Sequence, residues 1–298
     1  MKIYTTLLAT LLLFCFACQS GQDNGDATLT ALEKEVEANP NSENSKQLID
    51  QYLAEVSNNP EDVETNASYL YRAASLYYRQ NRFSNAADLL KRAIKDYGTA
   101  TSIPNTMMLL STIFQENLKN TDIAQAIYNH VKDRYPDTEQ GKEAASKIRA
   151  DGRSMEAAIE DIGGRMYNDS TFRIDNRLAV DFVNTCEMYA LLRPSDTKSP
   201  DYLFKAGETA RTVRNFTKAL ELYDWVYTRY PDFEKSAQAL FLKGFTLDND
   251  LGKHQEAKAI YETFLAKYPN DDFADDTQFL LSNIGKSDDE IIQNFEKK

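Results

Sequence analysis

Glycine and proline are scarce, 11 and 8 in 298 residues. A many-stranded sheet needs frequent tight turns, which draw on those two residue types, so their shortage favours helices joined by short loops. Cysteine is scarcer, three in all, and two of them, Cys15 and Cys18, sit in the first eighteen residues. Cys186 stands alone beyond them, so the folded body has no internal disulfide and must be held by packing. At an apolar helical position, Cys186 reads as a small buried hydrophobe rather than a nucleophile. There are only two histidines, His130 and His254, and neither has cysteine, histidine or paired carboxylates at ligand spacing, so no zinc site is expected. Basic residues are outnumbered, 34 against 46 acidic, for a formal charge of −12. Nucleic-acid affinity comes from Lys and Arg releasing counterions, so nucleic acid is not an expected partner.

Signatures of chemistry are missing as well. Gly163-Gly164 has neither a flanking strand nor the further glycines of a phosphate cradle. The run Asp248-Asn249-Asp250-Leu251-Gly252 has a calcium-loop flavour, but the twelfth position from Asp248 is Ala259, which cannot supply a bidentate carboxylate. It reads as a turn between helices. No serine elbow or Cys/His pairing stands out. The chain is therefore expected to be no enzyme and to hold no cofactor and no metal.

What is present begins with the longest apolar run, Leu7 to Phe16, preceded by Lys2 and followed by Ala17-Cys18 and a polar tract. The run is shorter than the ~20 residues that cross hydrocarbon, and it reads as an export signal. A small residue before cysteine and a polar tether after it resemble a bacterial lipoprotein signal. That resemblance implies cleavage before Cys18 and acylation of Cys18 as the lipid anchor. Cys15, preceded by bulky Phe14, suits the role less well. The expected layout is a signal peptide over 1–17, an anchored flexible tether over 18–28, and a folded remainder, in a chain whose overall composition is 42% apolar and 27% charged. Buried acyl chains contribute about 0.8 kcal/mol per methylene, enough for several to hold a soluble body at a bilayer.

The remainder repeats itself. Tyr-Pro recurs at Tyr135-Pro136, Tyr230-Pro231 and Tyr268-Pro269, with a variant Tyr97-Gly98. Before Tyr230, the residues Phe216, Ala219, Leu220, Tyr223, Val226 and Tyr227 form one helical stripe; Leu203, Ala206, Gly207 and Ala210 mark a preceding helix with small contact residues. Proline forbids continuation of the second helix. A constant offset of 133, that from Tyr69 to Tyr202, carries Phe83, Ala86, Tyr97, Leu118, Ala124, Tyr128 and Pro136 onto Phe216, Ala219, Tyr230, Leu251, Ala257, Tyr261 and Pro269 without a gap. The second member of each pair has one extra residue, which points to duplication of a two-hairpin unit. More loosely, Leu29, Leu32 and Val36 are matched by Ile159, Ile162 and Met166.

These hairpins resemble the tetratricopeptide repeat, a helical pair of about 34 residues closed by proline. Its contact positions fall on Leu203, Ala206, Gly207, Ala219, Tyr223 and Pro231, with Ala210 where Tyr is usual and Val226 where Ala is usual. Further copies carry Gly244, Ala257, Tyr261 and Pro269, Leu70, Ala73, Ala74, Ala86 and Leu90, and Ser111, Ala124, Tyr128 and Pro136. The resemblance implies an all-α, internally duplicated helical-hairpin superhelix. Its first half is expected over 29–150 and its second over 151–298, each with two repeats, with a polar break at Asp151-Gly152 as the hinge and capping helices at the C-terminal end, where Ser287 and Glu290 have capping-box spacing.

The family's inner groove is lined by first-helix residues, which here are Tyr71, Tyr78, Arg79, Phe204, Arg211, Phe241 and Phe245. The whole layout resembles tetratricopeptide lipoproteins of Gram-negative envelopes, with features also similar to repeat proteins of Bacteroidota. It implies a non-catalytic scaffold binding a protein or peptide partner in the groove and aiding assembly of an envelope complex. Gln19, in place of an inner-membrane-retaining Asp, favours the outer membrane. The alternative is a glycan- or peptidoglycan-binding accessory lipoprotein using Tyr and Trp faces, although the second-helix position of Trp225, the only tryptophan, implies burial.

Overall fold

The computed structural model describes residues 22–168, 173–286 and 290. The expected signal peptide, Cys18 and the capping box at Ser287 lie outside the described residues. The described chain is helical almost throughout. In order it runs α1 (Gln22–Ala38), α2 (Ser42–Asn58), α3 (Val63–Arg79), α4 (Phe83–Asp96), α5 (Ile103–Thr112), α6 (Thr121–Arg134) and α7 (Glu139–Lys147). Then come α8 (Met155–Met166), α9 (Asn176–Leu192), α10 (Ser199–Thr212), α11 (Phe216–Arg229), α12 (Ser236–Phe245), α13 (His254–Lys267) and α14 (Ala274–Asn283). Between α8 and α9 two short antiparallel strands, β1 (Tyr167–Asn168) and β2 (Arg173–Ile174), pair Tyr167 with Ile174. The first helix begins at Gln22, inside the stretch expected to be tether.

Helix ends follow from residue chemistry. Asn120 and Asn215 cap α6 and α11 through side-chain oxygens that accept from the amides of Ile123 and Lys218, and Asn41 and Asn44 form a reciprocal capping box before α2. Each tyrosine of the recurrent closing phrase is a C-cap. Tyr135, Tyr230 and Tyr268 take φ near −130° with ψ between 49° and 59°, outside the α region that a following proline disfavours. Tyr97, followed by glycine, takes nearly the same φ of −129°.

The duplication extends to the backbone. The offset of 133 carries α4 onto α11, α5 onto α12 and α6 onto α13 with identical bounds. It also carries the left-handed residues Asn81 and Lys119 onto Arg214 and Gly252. The extra residue in the second hairpin of each pair is not in the loop where the sequence placed it. It is absorbed in a π-helical turn at the end of the first helix, Ile113–Asn117 in one copy and Thr246–Asp250 in the other. The widened turns return through matching bonds, Asn120 N to Phe114 O and Lys253 N to Leu247 O, both 2.8 Å.

Within each hairpin, close approach of the helices is set by one small residue. A Cβ on Gly207 would sit 2.7 Å from the Tyr223 ring, and one on Gly244 would sit 2.7 Å from the Tyr261 ring. The corresponding residues of α3 and α4 are Ala74 and Leu90, both fully buried, so a smaller partner leaves room for the extra methyl.

The described residues form two compact units. One runs from α1 to Ala93 and takes in Tyr97–Ser102; the other comprises Ile94–Asp96 and the chain from Ile103 onward. The first unit has its core in Leu29, Val36, Leu48, Ile49, Tyr52, Ala73 and Leu76. There the Tyr52 ring stacks on Tyr69 at 5.1 Å, and its hydroxyl donates to Glu33, which also pairs with Arg72 at 2.7 Å. Burial, with the bond to Glu33 behind it, pushes the Tyr52 phenol up to about 12. In the second unit α5 to α7 pack in series, as do α8 to α14, and α6 joins the two runs by packing on α8 and α9. The polar break at Asp151-Gly152, expected as the hinge between halves, therefore lies inside this unit. It is bridged there. Gln125 accepts from the Arg149 amide at 2.7 Å and donates to the Lys147 carbonyl, while Arg153 reaches from beyond the break to Asp122.

Candidate functional site

Candidate partner contacts are side chains on the first helices of the hairpins, and the two units present them separately. In the first unit, α3 carries Tyr71 and Tyr78 half-buried and Arg79 exposed. Tyr78 rests edge-on against Phe83 at 5.6 Å, which fixes its ring at the start of α4. Arg79 has no ion-pair partner among the described residues. Each of the three keeps part of its surface open to solvent.

The second unit corrects part of the expectation. Phe204 is 2% exposed and Phe241 8%, so neither ring is a groove contact. Phe204 packs 6.2 Å from Tyr223, with the Lys235 ammonium 5.2 Å over its face. Phe241 stacks on Phe273 at 4.7 Å and stands near Phe245 and Phe264. These rings are covered mainly by their own hairpins, Tyr223 for one and Phe245 and Phe264 for the other, with Lys235 and Phe273 added from the following segments; such burial contributes a few kcal/mol per ring.

Arg211 and Phe245 do come together. The Arg211 guanidinium lies 4.8 Å from the Phe245 ring centre, and its Nε donates to the Asp250 carboxylate. Asp250 is supplied by the π-helical turn, so the extra residue of the duplicated unit brings α12 and α10 together through an ion pair. Nearby, Asp201 pairs with both Lys205 and Lys235. Glu208 is held above the usual carboxylate range by desolvation, with Lys235 acting against it. Beneath these groups Tyr223 is buried with no partner for its hydroxyl, and burial raises its pKa. A face with a guanidinium stacked on a half-buried ring, flanked by acidic and basic side chains, can hold an extended polypeptide through one aromatic anchor and flanking polar bonds. Sequence reading did not assign Glu208, Lys235 or Asp250; the shared one-residue excess, absorbed in the turn that carries Asp250, is a signal that could have pointed to it.

The remaining candidates are engaged in structure. Asp248 accepts from the ring of His254 at 2.7 Å, and the Tyr261 hydroxyl lies 3.5 Å from the same carboxylate. No group of three or more His, Cys, Asp or Glu among the described residues is placed to hold a metal. Cys186 is fully buried, and burial pushes its thiol far up, which removes the thiolate a nucleophile requires. Trp225 is 8% exposed, and the Lys95 ammonium lies 5.4 Å from its ring.

Comparison with known proteins adds a sequence-level identification of the hairpins. The family model described as tetratricopeptide repeat matches residues 68–100, 106–138 and 238–271. No curated protein sequence matches the chain. One similar solved structure, titled the TPR2AB-domain:pHSP90-complex of yeast Sti1, shares 14% identity over 88% of this chain and 98% of that chain, with a TM-score of 0.32. The hairpin α10–α11 is not among the matched segments, although it repeats the geometry of α3–α4. Hairpins α3–α4, α5–α6 and α12–α13 are thus tetratricopeptide repeats by sequence as well as by shape, and the fold is all-α and of that type.

Proposed function

We propose that the chain is a non-catalytic scaffold that binds a protein or peptide partner on the first-helix faces of its hairpins, and that acylation of Cys18 tethers it to a membrane of a bacterial envelope, most simply the outer one. The observation that carries the binding reading is the α10–α12 face, where Arg211 is stacked on half-buried Phe245 and oriented by Asp250. Tetratricopeptide hairpins serve generally in protein–protein interaction, and a rigid helical face lowers the ordering cost of such binding. The tether reading rests on Ala17-Cys18 and the polar tract after it. Tethering would raise the local concentration of the scaffold near membrane-associated partners and so assist assembly of an envelope complex. No helix among the described residues is long and apolar enough to cross a membrane.

Photo-crosslinking tests the binding face. A crosslinkable residue replacing Phe245 should capture one identifiable protein, which purified protein should then bind directly, whereas the same residue at exposed Arg229 on α11 should not. Equal capture at both positions would sink the assignment. Metabolic labelling with an alkyne fatty acid tests the tether: label should enter the native chain and be lost in Cys18→Ser. An unlabelled native chain removes the lipoprotein part of the proposal and leaves the binding face standing.

A further inference from the structure

Acidic residues outnumber basic ones along the chain, 46 to 34, yet the wall of one cleft in the second unit presents more basic side chains than acidic ones. It measures about 620 Å³ and lies where α6, the α7–α8 connection and the end of α9 meet, away from the first-helix residues discussed above. Arg134, Arg149, Arg153, Arg193 and His130 line it, with Asp133 the one carboxylate. The carboxylates that balance three of these arginines stand outside the lining. Asp151 takes a two-pronged bond from Arg149, at 2.9 and 2.7 Å. Asp122 and Asp161 hold Arg153 from two sides. Glu156 bonds one nitrogen of Arg193, whose guanidinium lies 4.9 Å from the Tyr189 ring. Three guanidinium groups are thereby oriented by neighbouring carboxylates, while Arg134, exposed at the end of α6, has no ion-pair partner among the described residues. His130, half-buried between them, likewise has no hydrogen-bond partner among the described residues.

We infer that this cleft is an anion-binding site for clustered oxyanions, either a small polyanion or the acidic segment of a polypeptide. The unengaged fork of Arg134 and the N–H groups of Arg193 that Glu156 leaves free can donate to carboxylate or phosphate oxygens, and orienting the neighbouring guanidinium groups in advance lowers the ordering cost of binding. The site is independent of the partner face proposed for α10 and α12. The groups facing the imidazole are Asp133 and Arg134 from α6 and Arg193 from α9. Burial, Arg134 and Arg193 hold His130 below its ordinary pKa, and Asp133 opposes them. A bound anion would add negative charge there and raise it.

With only two histidines in the chain, the test is direct. Imidazole resonances of the full chain are followed by NMR while citrate, inorganic phosphate or a hexaglutamate peptide is added, with His254 as internal reference and assignment by His254→Gln. Saturable movement of the His130 signal, an upward shift of its pKa, and a loss of at least about tenfold in affinity in Arg134→Gln/Arg149→Gln are expected. Both substituted side chains are exposed, and Arg229→Gln should bind as the parent does. Response to citrate or phosphate identifies a small polyanion as the ligand class, and response to the peptide alone identifies an acidic segment. Absence of saturable movement with all three probes, or unchanged affinity in the double variant, would overturn the site.

Discussion

At the scale of single residues, contact between the two helices of a hairpin is governed by pairs that compensate in volume. Gly207 faces Tyr223 where Ala74 and Leu90 occupy the equivalent places, which makes the exchange testable inside one chain. Gly207→Ala should destabilise the protein by about 1–3 kcal/mol in denaturant unfolding, because a Cβ meets the ring of a buried tyrosine. Adding Tyr223→Leu should recover more than its own cost predicts, and a double-mutant cycle reads that coupling. His130 offers a second measurement. Its folded pKa is lowered by burial and by Arg134 and Arg193, against Asp133, so the unfolded chain takes up the proton first. The contribution is present above the ordinary value of 6.5 and is lost as pH falls through the lower folded value. Stability should therefore decline from pH 7 to 5, and His130→Gln should flatten that decline in pH-resolved unfolding curves.

At the scale of the element, the π-helical turns and left-handed residues carry the signature of the duplicated unit. Gly252 and Lys119 are equivalent, with φ of 63° and 59°, but only the first is free of a side-chain penalty there. Lys119→Gly should raise stability by up to about 1 kcal/mol in the same assay, and Gly252→Lys should lower it by a similar amount. The Tyr-Pro closures were legible in sequence because proline acts on its immediate neighbour, so the cap geometry is local. The site of the extra residue was legible only as a count. Whether a helix widens or a loop lengthens depends on which choice keeps Phe114 and Leu247 buried, and that is a matter of packing with the following helix.

At the scale of the whole molecule, each unit is held by packing between neighbouring helices, so its stability is close to a sum over neighbours. Cys186, fully buried at the contact of α9 with its neighbours, serves as a reporter of the second unit. In a Cys15→Ser/Cys18→Ser chain, labelling of Cys186 by a thiol reagent should be negligible under native conditions. It should rise in step with the unfolding of that unit as denaturant increases; rapid labelling in the native state would contradict its placement.

The all-α class, the hairpin period, the duplication and the closing caps were determined by sequence alone, since each rests on residues a few positions apart or on an identity that recurs at one offset. The tertiary structure decided which first-helix side chains stay available. Phe204 and Phe241 have the chemistry of a surface anchor, but Tyr223 in one case and Phe264 and Phe273 in the other pack against them and they are buried. Phe245 stays half-buried under Arg211 because Asp250, thirty-nine positions along the chain, fixes that guanidinium. The boundary between units was likewise decided in three dimensions, where Gln125 and Asp122 tie down a break that looks like a hinge in one dimension. Burial and ion pairing are set by distances in space, and a linear pattern fixes such distances only within a helix or a turn.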